Sequence, residues 1–242
     1  QTGRLRYEGL APALAASITA DFIVESLGRH TPIVEIPVNI DWTIALRLVV
    51  LGIAAGLAAR VFIEVLHGVK KVMRDLISWV PARPIIGAVA TLALMLIFGR
   101  DYLGLSLPLV EHALDGIAAS WWDPVLKILF TAIALGCAIP GGEVTPLFVV
   151  GATLGSAMSG PLHLSPTLAA AACLAAVFGA AANAPIACAV LAIELFGAGM
   201  AIPAGIVCIV AYAISPKHGI YEGQRHGSTK DLRATAVQPH HP

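Results

Sequence analysis

The sequence predicts an all-α, polytopic membrane fold with broken or re-entrant helices, and three observations carry that reading. Apolar residues fill 57% of the 242 positions and charged residues only 12%, a balance outside that of ordinary soluble domains. The mean hydropathy is +0.82. The chain also holds 23 Gly and 16 Pro, which cut the apolar runs into pieces, several of them shorter than the ~20 residues of a straight crossing.

Each element follows from local signals. Residues 9–27 read as a first helix with Asp21 and Glu25 toward its end, stopped by Gly28-Arg29-His30-Thr31-Pro32. A Pro-containing extended loop runs to about Asp41. Residues 42–80 are helical throughout, as one helix or as two bent near His67-Gly68. Pro84 opens the next helix and Gly99-Arg100-Asp101 closes it. Residues 105–116 carry Glu111 and Asp115 and suit a short or re-entrant segment. Trp121-Trp122 reads as an interfacial aromatic anchor ahead of a run to Ile139. After a Gly-Gly break come 146–160, 165–182, 185–197 and 200–215. Helices that stop at mid-membrane are tolerated only where protein or an aqueous cavity covers their ends. The domain reading is therefore a membrane-embedded body over 1–215 and a pore-end segment with a polar, largely disordered tail over 216–242.

Composition also excludes functions. Fifteen basic and fifteen acidic residues give zero net charge, so no nucleic-acid partner is expected. Cys137, Cys173, Cys188 and Cys208 lie in apolar runs without metal-ligand spacing and read as small buried hydrophobes. No convergent set of nucleophile, base or metal ligands is visible, so the chain is not read as an enzyme and no metal or organic cofactor is expected. Lys70, Lys71 and Arg74, like Lys217, Arg225, Lys230 and Arg233 in the tail, are placed on the cytoplasmic side by the positive-inside tendency. Arg60 and Glu64 stand four apart and can pair on one helix face. Gly52-x-x-x-Gly56 and Gly151-x-x-x-Gly155 offer faces for close helix packing. His112, His163 and His218 show no ligand-type pairing and are assigned no site.

The stretch Gly141-Gly142-Glu143-Val144-Thr145-Pro146 stands apart, because it carries an acid between two apolar runs. Paired glycines let the backbone bend, and Pro146 suits the first turn of a helix. The reading is a helix that begins inside the protein, with unpaired N–H groups and the positive dipole end aimed at whatever precedes it. Transporters build anion sites in this way, and an intramembrane acid is a functional candidate by default.

Continued by Leu147-Phe148 and Gly151-Ala152-Thr153-Leu154-Gly155, this stretch resembles the Gly-Gly-x-x-x-Pro motif of CLC anion channels and antiporters. Gly179-Ala180-Ala181-Ala182-Asn183-Ala184-Pro185, with the apolar helix to Glu194, is similar to the second conserved block of that family. Ile220-Tyr221 sits where the family places a pore-lining tyrosine. Arg29-His30-Thr31-Pro32 and the long helix after Trp42 fit the same layout less specifically. Family members are two inverted repeats, and the resemblance implies that this chain is the second alone. Its start at Gln1 fits entry just after the first repeat, which would hold the gating glutamate and one anion-binding loop. On that expectation these residues alone form no complete ion pathway. The resemblance further implies a homodimer with one pathway per subunit, completed by the N-terminal repeat of the same protein. It places the protein across the bilayer of a bacterial inner membrane, with fluoride or chloride ions and protons as its partners.

Chloride-handling relatives usually place an apolar residue, an aromatic and a small residue before the motif proline. Glu143, Val144 and Thr145 stand there instead, which resembles the fluoride/proton antiporter branch that exports toxic fluoride. A chloride channel or chloride/proton antiporter is the alternative. The anion-binding set is Gly142, Glu143, Val144, Thr145 and Tyr221, with Glu143 also the proton-coupling acid. Burial disfavours a charged carboxylate and a helix N-terminus favours it, so a neighbouring anion would tip Glu143 toward protonation and link the two ions. The bland alternative is an acid that satisfies orphan N–H groups. Fluoride is small and strongly hydrated, so the Thr145 hydroxyl is a useful donor, unless it bonds its own helix. Val144 contributes a backbone N–H or ordinary packing. Tyr221 offers a phenolic donor or is an interfacial tyrosine. Asn183 reads as an N-cap, and Glu111, Asp115 and Glu194 as proton-path groups or solvated helix ends.

Overall fold

The computed structural model describes residues 10–27, 36, 40–216 and 219–221. The expectations on Arg29-His30-Thr31-Pro32, on most of the loop before Asp41, and on the tail with Lys217, His218, Arg225, Lys230 and Arg233 fall outside the described residues. The chain forms two compact units, Gln1–Pro32 with Tyr221–Pro242, and Ile33–Ile220. The first unit contains helix α1 (Leu10–Ser26) and Tyr221.

The second unit is helical throughout its described regular elements: α2 (Trp42–Leu76), α3 (Ala82–Phe98), α4 (Leu107–Leu114), α5 (Trp122–Gly136), α6 (Val144–Leu162), α7 (Pro166–Ala181), α8 (Pro185–Phe196), a 3-10 turn (Ala198–Met200) and α9 (Ala201–Ile214). Among the described residues, only α2 is long and apolar enough to cross a membrane by itself. Its 35 residues span about 50 Å at 1.5 Å each, more than a bilayer's hydrocarbon thickness. Asp41 caps its start by accepting from the Trp42 N–H at 2.8 Å. The helix runs unbroken through His67-Gly68, so of the two readings of this stretch the single helix holds. One helical Gly costs ~1 kcal/mol relative to Ala, too little to break a helix packed on both sides of that point. It ends at Leu76 rather than near Val80, where the Arg83 guanidinium takes the Ile77 carbonyl at 2.8 and 3.0 Å.

One face of α2 is buried at Leu48, Leu51, Ala55, Ala59, Phe62, Ile63 and Leu66, a helical period that builds the core. The opposite stripe of Leu46, Val50, Ile53, Leu57 and Val61 is apolar and exposed, as are Ile85, Val89, Leu92 and Leu96 on α3. Apolar stripes of this extent are incompatible with water and suit lipid or further protein. At the centre lies α7, Ala-rich and buried all round, packed by α6, α9, α2 and α8. Its small side chains let neighbours come close. A Cβ at Gly151 would lie 2.5 Å from the Cys173 carbonyl, and one at Gly155 would collide with the Ala169 backbone. Gly52 and Gly56 do the same for α2 against α9, where added Cβ atoms would fall 2.8 Å from Val210 Cβ and 2.6 Å from the Ala211 carbonyl. Both Gly-x-x-x-Gly spacings are therefore helix crossings. All four cysteines are free and buried, as their apolar setting predicts.

Other boundaries differ from expectation too: α3 begins at Ala82, so Pro84 is its third residue and not its opening one. α6 continues through Pro161 to Leu162, since a proline in the last turn removes only one bond, and His163 ends it in a left-handed conformation (φ 49°). The Arg47 guanidinium from α2 then caps the His163 carbonyl at 3.0 Å. Asn183 is not the cap of α8: Pro185 at the first position puts the cap at Ala184, and Asn183 turns left-handed before it (φ 56°). Beyond α9, Ile220 is buried and its N–H donates to the Ala181 carbonyl at 2.9 Å, so the ordered body reaches past residue 216.

Candidate functional site

The site is the start of α6. α5 closes at Gly136 with the Ile139 N–H on the Ala134 carbonyl at 3.1 Å, and Ala138 takes a left-handed conformation (φ 62°). A non-glycine residue there carries strain, a feature found at functional turns. The sharp bend thus falls on Ala138, and neither Gly141 nor Gly142 has a positive φ, which corrects the reason given for the glycine pair. Both glycines line a cavity of about 520 Å³, shared with Pro146, Thr91, Thr131 and Lys127. A Cβ at Gly142 would meet no atom within 4 Å, whereas one at Gly141 would lie 3.1 Å from Leu135 Cδ2.

Glu143 occupies the cap position of α6, and Val144 and Thr145 are its first two helical residues. All three are half-buried. The Glu143 side chain makes no capping bond; its Oε1 lies 3.6 Å from Nζ of Lys70 on α2. The bland reading of an acid spent on orphan N–H groups is thus not what the geometry shows. Pro146 at the third position has no N–H, so the first turn presents only the Val144 and Thr145 N–H groups. Among the described residues the Thr145 hydroxyl has no hydrogen-bond partner. Thr91 and Thr153, by contrast, bond their own helices at 2.8 and 2.7 Å. A helix N-terminus with open N–H groups and its positive dipole end is chemically suited to a negative charge.

Lys70 is the residue the sequence reading missed in this role, having placed it in a basic cluster that sets orientation. Its backbone lies in close packing: a Cβ on Gly136 would run into the Val69 side chain and come within 3.3 Å of the Lys70 backbone nitrogen. Among the described residues, Lys70–Glu143 is the ion pair that joins two helices, while Arg60–Glu64 (2.8 Å) lies along α2.

Lys127, which the sequence reading passed over, is fully buried on α5 and donates to the Tyr102 carbonyl (3.2 Å), the Gly104 carbonyl (2.8 Å) and the Ser106 hydroxyl (2.8 Å). Its signal was a single lysine heading an apolar run. The Tyr102 hydroxyl donates to Asp123 at 2.7 Å, and burial together with that carboxylate pushes the phenol well above its ordinary value. Tyr102 therefore stays neutral and this region is a structural clasp. Glu111, His112, Asp115 and Glu194 are exposed, which fits solvated helix ends. Tyr221 is half-buried and falls in the unit that contains α1.

The family model described as voltage gated chloride channel matches residues 2–216. The chain is 37% identical over 242 residues to a chloride/fluoride channel protein of Pseudomonas syringae pv. tomato (strain ATCC BAA-871 / DC3000), covering 96% of this chain and 53% of that protein. It is 31% identical over 96 residues to an uncharacterised protein of Methanocaldococcus jannaschii, over 40% of this chain and 24% of that one. Its fold matches the crystal structure of a CLC-type fluoride/proton antiporter with a TM-score of 0.85 at 31% identity, covering 91% of this chain and 56% of that structure. The chain spans about half the length of the P. syringae relative and of the antiporter chain.

Proposed function

Because the chain belongs to the CLC voltage gated chloride channel family, we propose that it is the second repeat of a membrane anion transporter that exchanges fluoride for protons. The observation that carries this reading is the uncapped start of α6, where Val144 and Thr145 open the helix beside an acid that lies 3.6 Å from a lysine. Both the chloride/fluoride channel relative and the antiporter structure support fluoride as the ion. Glu143 is the proton-linked acid: its carboxylate and a bound anion repel, so protonating Glu143 favours anion binding and a bound anion favours protonation of Glu143. Pairing with an N-terminal repeat, a homodimer and a bacterial inner-membrane setting complete the proposal. For Tyr221 the support is the position of Ile220-Tyr221 after the last helix.

The test is the full-length protein that contains this chain, reconstituted in liposomes loaded with fluoride or chloride, with anion efflux and proton uptake followed together. Fluoride efflux tied to proton uptake, reduced at least about 100-fold or uncoupled in Glu143→Gln, is the expected result. Brisk chloride flux indifferent to Glu143→Gln would move the protein to the chloride side of the family and reduce Glu143 to a helix-end residue.

A further inference from the structure

Glu143 sits at the cap position of α6 with a helical backbone (φ −92°, ψ −20°) rather than the extended one usual for a cap, and its side chain does not cap. A capping side chain accepts from the second or third N–H of its helix. At α6 the third residue is Pro146, so the Thr145 N–H is the donor a capping Glu143 would take. That same N–H belongs to the proposed anion seat. A carboxylate and an incoming anion therefore compete for one donor, and whatever holds the carboxylate aside decides the outcome.

Resting on the transport reading above, we propose that Lys70 is a positioning residue for the anion. It draws the ionised Glu143 carboxylate off the start of α6 and so leaves the Val144 and Thr145 N–H groups and the Thr145 hydroxyl to a small inorganic anion. Three features make Lys70 suited to this. Its backbone is set on α2 by the close approach of Val69 to Gly136, at the end of the helix that leads into the site, so the side chain springs from a packed helix rather than from a loop. The separation of 3.6 Å exceeds the 2.7–2.9 Å of a charge-assisted hydrogen bond, so the pair attracts without locking. Both side chains are partly exposed (31% and 20%), which keeps the pair breakable when Glu143 takes a proton. Without Lys70 the carboxylate falls back onto the Thr145 N–H and acts as a tethered competitor.

A competing role is simple attraction of anions by a positive charge, and the two differ in one respect. Attraction persists when Glu143 is neutral, whereas competition vanishes. Fluoride binding to the full-length protein, measured by calorimetric titration in detergent, separates them without requiring transport. Lys70→Met is expected to weaken fluoride binding about tenfold with Glu143 present and less than about twofold in the Glu143→Gln background, a coupling between the two sites. Lys70→Arg is expected to keep binding within about threefold, since it retains the charge. Lys70→Gln replaces Lys70→Met if the latter does not yield folded protein. Equal loss in both backgrounds, or no loss in either, overturns the positioning role. The same titrations with chloride keep the two readings separate. Chloride binding that depends on Lys70 in this pattern, with no fluoride binding, overturns fluoride as the ion and leaves the positioning role standing. Fluoride binding indifferent to Lys70 does the reverse.

Discussion

Lys127 and Lys70 sit on apolar helices of the same unit and are handled in opposite ways. Lys127 is 1% exposed, and its three protons go to three neutral oxygens of the segment between α3 and α4. An ammonium has three donors, so nothing is left over for a ligand. Lys70 is partly exposed, faces one carboxylate at 3.6 Å and keeps donors in reserve. The first arrangement fixes a chain crossing: with the Tyr102–Asp123 bond it ties the loop after α3 to the start of α5. The second leaves a charge that can change partners. A buried cation whose valences are all filled is architecture, and a loosely held one beside an uncapped helix is where binding can be regulated.

That contrast can be broken most strongly at Lys127. Lys127→Met leaves the Tyr102 and Gly104 carbonyls without their buried donor and is expected to cost about 2–3 kcal/mol of stability. Thermal unfolding of the full-length protein in detergent would show it, while fluoride flux per folded molecule stays at the wild-type level. A protein of normal stability with lost flux would mean that the clasp is part of the pathway. A smaller effect is expected at Thr145. Thr145→Val removes the unpartnered hydroxyl without changing shape, and fluoride affinity should fall about five- to tenfold, roughly 1–1.4 kcal/mol. Unfolding should be unaffected, and an unchanged affinity would show that the backbone N–H groups alone seat the ion. The smallest change belongs to Arg60→Ala, which breaks an exposed pair within one helix and should move stability by less than about 0.5 kcal/mol. A larger loss would show that exposed pairs on α2 carry weight and would blur the distinction drawn here.

Much of the fold was legible because its signals are local. Gly and Pro mark the ends of α3, α7 and α8 in the sequence, and the two Gly-x-x-x-Gly faces state in advance which surfaces of α2 and α6 are pressed closest. The cap of α8 was also legible in principle, since Pro185 at the first helical position assigns the cap to Ala184 rather than Asn183. The bend before α6 was not. Glycine permits a left-handed turn but does not require one, and closure of α5 placed the turn on Ala138. Nor did the sequence announce Lys127: its partners are two carbonyls and a hydroxyl, which carry no residue signature.

The sequence by itself determined the apolar, membrane-type character of the chain, the interruption of its helices, and the presence of an acid, a threonine and a proline at one helix start. These follow from composition and from short-range backbone preferences, which act between residues a few positions apart. Only the tertiary structure decided what the acid does. Its carboxylate lies 3.6 Å from the Lys70 ammonium, and α5 meets α2 closely where Gly136 faces Val69, contacts that join residues far apart in the chain. Which donors of α6 remain open for an ion is a property of that packing, because a helix start specifies its N–H groups but not the neighbour that keeps its own side chain away from them.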